Sequence, residues 1–128
     1  MIDHTGFEVS NSKESRKFYE KALAPLGYQL LVEVPTEHTG GVVVLGYGVP
    51  PKPDFWIFEG SPNEPRLHIA FSAANRKQVD EFYYAALKAG GKDNGPPGLR
   101  PQYHKNYYGA FVLDPDGHNI EAVCHAPE

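Results

Sequence analysis

Cysteine is almost absent from this chain: Cys124 stands alone among 128 residues. A single thiol closes no disulfide within the chain and builds no Cys-x-x-Cys zinc knuckle, so a reducing compartment, the cytoplasm, is expected rather than a stapled secreted fold. Long apolar runs are missing too. The longest, Gly41 to Leu45, falls far short of the roughly 20 residues that cross a bilayer. The opening Met1-Ile2-Asp3-His4-Thr5 lacks the basic-then-apolar order of a secretory leader, so none is expected. Positive charge is scarce, with 12 Lys and Arg against 16 Asp and Glu and a net charge of -4. No basic run exceeds two residues, which leaves no stripe to track phosphates, and neither nucleic acid nor a membrane is expected as partner. Against these absences, 41% hydrophobic and 12% aromatic residues supply a core, while 13 Gly and 12 Pro forecast many turns.

The chain resembles itself. Shifted by half its length, residues 4 to 27 align with residues 68 to 91, with nine identical pairs that include His4/His68, Phe7/Phe71, Asn11/Asn75, Phe18/Phe82 and Tyr19/Tyr83. A tandem duplication follows, joined through Gly60-Ser61-Pro62-Asn63-Glu64-Pro65. Each half opens on an alternating strand, with Phe7 and Val9, or Ile69 and Phe71, on one face and a histidine on the other. Asn11 with Glu14, and Asn75 with Gln78, then read as helix N-caps with a residue that can reach back. Apolar residues follow at helical spacing up to Gly27 and Gly91, which are expected to end the helices. Strands are expected over 28–34, 42–47 and 55–59 in the first half. In the second, strands over 107–113 and 118–124 flank the turn Asp114-Pro115-Asp116-Gly117, a short strand is expected near Lys92, and residues 94–106 read as a loop. Phe7 is expected to pack on Phe18, and Phe71 on Phe82.

His4 and His68 hold equivalent places on equivalent strands, so a two-fold arrangement of the halves can bring them together. One carboxylate from a third strand would complete a site of two histidines and one acid with open metal positions. Glu121 is the candidate, because it interrupts an otherwise apolar last strand. The same histidines also fit as packed, hydrogen-bonded groups retained from the duplication. The stretch from Arg100 to Tyr108 gathers a guanidinium, an imidazole and several phenols; Arg100, Tyr103, His104 and Tyr108 are candidates to bind an anionic or phenolic substrate beneath a lid. His38 and His118 read as exposed turn residues.

The opening Ile2-Asp3-His4-Thr5-Gly6-Phe7-Glu8-Val9, the helical Phe18-Tyr19, Leu67-His68-Ile69-Ala70-Phe71 and the closing Asp114-Pro115-Asp116-Gly117-His118-Asn119-Ile120-Glu121 resemble the glyoxalase, bleomycin-resistance and extradiol dioxygenase superfamily, the vicinal oxygen chelate proteins. The resemblance spans nearly the whole chain. It implies an α+β fold of two tandem βαβββ modules, residues 1–60 and 66–125 of one domain over 1–128, whose curved mixed sheets enclose a metal-binding cavity. It implies a divalent ion (Zn, Ni, Mn or Fe) held by His4, His68 and Glu121, with Glu121 or a loop residue moving the substrate proton, and a homodimer. Glyoxalases place a further carboxylate on the fourth strand of the first module; the residue half a chain before Glu121 is Ile57, and Glu59 would substitute only through a bulge. The function implied is a metal-dependent lyase or isomerase acting on a small oxygen-chelating molecule. Two alternatives stand beside it, extradiol ring cleavage and a non-catalytic small-molecule binding protein.

Overall fold

Two asparagines start the two helices in the computed structural model, which describes residues 1–128. Asn11 Oδ1 accepts from the Glu14 backbone N–H at 3.1 Å and opens α1 (Ser12–Leu23). Asn75 Oδ1 accepts from Gln78 N at 2.9 Å and opens α2 (Arg76–Lys88). Each contact satisfies one of the four donors that a helix's first turn leaves without a partner. Gly27, at φ 86, ends the first helical run as expected, although the run changes character before it, and only the second exit differs from the expected glycine. Pro25 has no N–H to offer and its ring would collide with the preceding turn, so α1 stops at Leu23 and a 3-10 turn, Ala24–Leu26, carries the chain to Gly27. In the second half Gly90, at φ 101, takes the left-handed turn. Gly91 serves the packing instead, since a Cβ on it would lie 2.7 Å from Phe18 Cε1 in the other half.

The first half forms strands β1 (Thr5–Val9), β2 (Gln29–Val34), β3 (Val44–Gly48) and β4 (Phe55–Glu59) in the order β1-β4-β3-β2. The second forms β5 (His68–Ser72), β6 (Lys92–Leu99), β7 (Tyr108–Leu113) and β8 (Asn119–Cys124) in the order β5-β8-β7-β6. In each sheet the first strand runs parallel to the last and the remaining pairs are antiparallel. Two βαβββ modules therefore build an α+β fold with mixed sheets, and the sheets do not close. No helix is long and apolar enough to cross a membrane. One correction concerns β6, which runs through Asn94-Gly95-Pro96-Pro97-Gly98, residues expected in a loop. Prolines are tolerated because β6 is an outer strand, and its register with β7 slips between Asp93 and Gly95 and again between Gly95 and Gly98.

Alternation carries the apolar face of each strand beneath the helices, where 22 buried residues from both modules form a single cluster. The aromatic pairing differs from expectation. Phe7 meets Tyr19, Phe55 and His118, while Phe71 turns toward the other module and meets Tyr28 at 5.5 Å and Phe55 at 5.1 Å. The core is thus shared across the duplication rather than doubled, and edge-to-face contacts of this kind add about 0.5–1.5 kcal/mol each beyond area burial. The turn before β8 is tied into it. Asp114 Oδ2 accepts from the buried Tyr19 hydroxyl at 2.5 Å, and Oδ1 accepts from Asp116 N and His118 N. His118, expected to be exposed, is fully buried, and its Nδ1 accepts from Leu67 N at 2.9 Å.

Candidate functional site

Glu121 is a carboxylate at 1% exposure in the middle of a sheet, a placement that costs several kcal/mol unless its oxygens are engaged. The β-register explains how they are. Glu121 sits between Ala70 of β5 and Phe111 of β7, so side chains two residues along, His68 on β5 and Gly109 on β7, share its face of the sheet. His68 Nε2 meets Glu121 Oε1 at 2.9 Å. The Tyr107 hydroxyl donates to Glu121 Oε2. Burial, then the bond to Glu121 and its charge, hold the Tyr107 phenol well above the usual phenol range, so it stays protonated and remains a donor at neutral pH. The His68 side chain keeps 52% of its surface exposed, which leaves the polar group reachable from solvent.

The loop that the sequence singled out divides between the two faces. Tyr107 packs edge-on against Tyr103, His104 and His125, and the Arg100 guanidinium lies 5.3 Å over the Phe111 ring. Arg100 also donates to its own strand, from Nη1 to Gly98 O and from Nη2 to Pro96 O, and so holds the irregular end of β6 in place. Tyr108 belongs elsewhere. As the next residue in a strand it points to the helix face, where its hydroxyl donates to Asp80 Oδ1 at 2.7 Å and Arg76 covers its ring at 5.1 Å. Tyr107, which sequence reasoning passed over, is the phenol at the carboxylate; a four-residue turn over 114–117 would put Tyr108 on that face, but Leu113 pairs with Asn119, and the one extra residue in the connection brings Tyr107 there instead.

His4 lies at the other module. Its Nδ1 pairs with the Asp3 carboxylate at 2.8 Å, and Lys52 holds the second Asp3 oxygen at 2.6 Å. His4 and His68 both border one open cleft of about 650 Å³. His4 also borders a second surface hollow, with Gly6, Trp56 and Phe58. Register shows what stands there in place of the acid. Ala70 of β5, equivalent to Gly6 of β1, pairs with Glu121, whereas Gly6 pairs with Trp56. The counterpart of Glu121 is therefore Trp56 and not Ile57, because the second half carries one extra residue between its first and last strands. Glu59 is committed as well: its Oε2 accepts from Ser12 N at 2.9 Å at the start of α1, and that backbone bond holds its carboxyl below the usual range.

A family model described as the Glyoxalase/Bleomycin resistance protein/Dioxygenase superfamily matches residues 1–122. The chain belongs to this superfamily. A glyoxalase/bleomycin resistance protein from Albidiferax ferrireducens T118 is similar over 97% of this chain and 98% of its own, at 26% identity and a TM-score of 0.75. A glyoxylase/bleomycin resistance protein/dioxygenase domain from Frankia sp. EAN1pec matches at 17% identity and a TM-score of 0.71, covering 97% of this chain and 96% of its own. Glyoxalase I from Zea mays matches in fold, at 18% identity and a TM-score of 0.69, over 95% of this chain and 43% of its own. No curated protein matches.

The superfamily's implied metal can be tested against the donors present. His68 and Glu121 offer one imidazole nitrogen and one carboxylate oxygen at adjacent points, a donor pair suited to a divalent transition ion. Within one chain, however, no three His, Cys, Asp or Glu side chains gather to hold a metal ion. The superfamily member seen here thus presents two of the three expected ligands together on one sheet face, with His4 on the other module and Trp56 where a further acid would stand.

Proposed function

We propose that the protein is a metal-dependent enzyme of lyase or isomerase type, acting on a small molecule with two neighbouring oxygens, and that it works as a homodimer. The observation that carries this reading is the paired His68 Nε2 and Glu121 Oε1, 2.9 Å apart on the sheet face turned away from the helices. His4 of the partner subunit would supply the third donor. The half-buried Trp56 and Phe58 beside His4 offer an apolar rim for that pairing, and a symmetric dimer repeats the contact twice. A bound divalent ion would supply Lewis-acid polarisation of the substrate oxygens.

The chain's own groups would do the rest. Glu121 would move the substrate proton, and Tyr107 keeps its hydrogen bond to Oε2. Arg100, held over Phe111, places a positive charge at the mouth of the site, and the exposed Tyr103 with His104 forms its outer wall. The lone, buried Cys124 suits a cytoplasmic setting. A second reading, a binding protein without catalysis, is favoured by the absence of a three-donor group within one chain. Elemental analysis of tag-free protein, together with its sedimentation, separates the two. The enzyme reading expects one transition ion per chain in a dimer and its loss in Glu121→Gln; a metal-free protein that takes up no added Zn²⁺, Ni²⁺, Mn²⁺ or Fe²⁺ rejects it.

A further inference from the structure

Glu121 has two oxygens, and only one of them faces His68. The other is occupied by the Tyr107 hydroxyl, so a carboxylate free to rotate is instead fixed from behind. The phenol is itself held in place. His104 Nδ1 accepts from Asn106 N at 3.0 Å, which puts the His104 proton on Nε2, and that N–H donates to His125 Nδ1 at 2.8 Å. The two imidazoles stack at 5.0 Å, and each touches the edge of the Tyr107 ring. The strand leaves space for the contact as well. A Cβ on Gly109 would lie 3.2 Å from both Glu121 Oε2 and Tyr107 Cε1, tighter than ordinary van der Waals packing. Three independent features, a hydrogen bond, a braced ring and a bare strand position, converge on one atom of one carboxylate.

We propose that Tyr107 is a positioning residue of this site: it ties down Glu121 Oε2 so that Oε1 alone is presented, toward His68 and whatever binds there. The consequence for the site rests on the function proposed above, whereas the contact itself does not. Partners one step removed from a ligand commonly govern its orientation, and their loss costs about 10–100-fold in affinity or activity.

The test uses Tyr107→Phe, which keeps the ring and removes the donor, with Tyr108→Phe as the control phenol on the opposite face. In metal-free protein, the Glu121 side-chain carboxyl ¹³C resonance, assigned by its loss in Glu121→Gln, is expected to move in Tyr107→Phe together with the His68 imidazole ¹⁵N resonances. Both should stay in place in Tyr108→Phe. Gly109→Ala, which crowds the same contact without touching the phenol, should displace the Glu121 signal too and serves if Tyr107→Phe folds poorly. Zn²⁺ titration of the same proteins is expected to show binding about 10–100-fold weaker in Tyr107→Phe than in wild type. Unmoved Glu121 and His68 resonances overturn the proposal, as does Zn²⁺ binding in Tyr107→Phe equal to that of a wild type that takes up the ion. If the resonances move while no protein, wild type included, binds Zn²⁺, the positioning of Glu121 stands and the metal reading falls.

Discussion

Replacing Tyr19 by Phe removes a single oxygen atom from the centre of the molecule, and its cost can be worked out from the contacts that atom makes. Tyr19 is fully buried on α1, and its hydroxyl is the one donor to Asp114 Oδ2; the other oxygen keeps the backbone N–H groups of Asp116 and His118. In the variant Oδ2 stays buried, at 4% residue exposure, without a donor. A hydrogen bond to a charged group contributes about 1.5–3 kcal/mol, so a loss of about 2 kcal/mol is expected at neutral pH. With a urea slope of about 2 kcal/mol per M, the unfolding midpoint should fall by about 1 M.

The pH dependence follows from Asp114 itself. Burial pushes its carboxyl above 3.8, although Tyr19 and the His118 and Asp116 N–H groups pull the other way. A carboxyl raised in the folded state binds its proton more readily there than in the unfolded chain. Its ionisation is therefore a liability that is absent below pH 3.8 and sets in as pH rises through the folded value. Tyr19 relieves that liability only when Asp114 is charged, so the cost of Tyr19→Phe should shrink as pH is lowered through the same window. Because Asp114 also holds the turn whose His118 accepts from Leu67 N, next to His68, the variant should loosen the site from behind. Urea unfolding of both proteins between pH 3 and pH 7 decides the matter. A difference below about 0.5 kcal/mol throughout, or one that grows in acid, would show that the Tyr19 hydroxyl does not stabilise a charged Asp114.

Two further outcomes test the packing and the helix start. Gly91→Ala places a Cβ 2.7 Å from Phe18 Cε1 and 2.9 Å from the Ala86 carbonyl oxygen, so it should destabilise by about 1–3 kcal/mol in thermal or urea unfolding, whereas the same change would pass unnoticed at a merely exposed helix end. Glu59→Ala should lower stability at neutral pH. Since Ser12 N–H holds the folded carboxyl of Glu59 below 4.5, the stabilisation is present above 4.5 and fades as pH falls through the folded value, and stability curves of the two proteins should converge in acid.

The duplicated architecture was readable because each half carries its own punctuation: Asn11 and Asn75 as caps, helical spacing behind them, and Asp114–Gly117 as a turn. What escaped reading depends on neighbours that no local pattern reveals. Pro96-Pro97 signal a loop, yet an outer strand with slipped register admits them. His118 looks like a polar turn residue, but Asp114 folds the turn inward and Leu67 N gives the imidazole a partner. The contact of His68 with Glu121 was foreshadowed by the acid that interrupts an apolar last strand and by the histidine repeated on the first, while choosing Tyr108 over Tyr107 missed the phenol beside Glu121 by one residue, which in a strand reverses the face. The assignment of Ile57 as the counterpart of Glu121 failed in the same way, by the single residue that separates the two modules' spacing and that puts Trp56 in the place.

Whether His4, His68 and Glu121 bind one ion, and do so across two copies, is decided by the number of Zn²⁺ ions bound when His4→Ala and Glu121→Gln chains are mixed. Each variant alone should bind almost none. Denatured together and refolded, half the dimers combine both chains; in each of these, one site joins the intact His4 of one copy to the intact His68 and Glu121 of the other, so binding should recover to about a quarter of wild type. A mixture that binds no more Zn²⁺ than its separate components, or variants that bind as tightly as wild type, would contradict the claim.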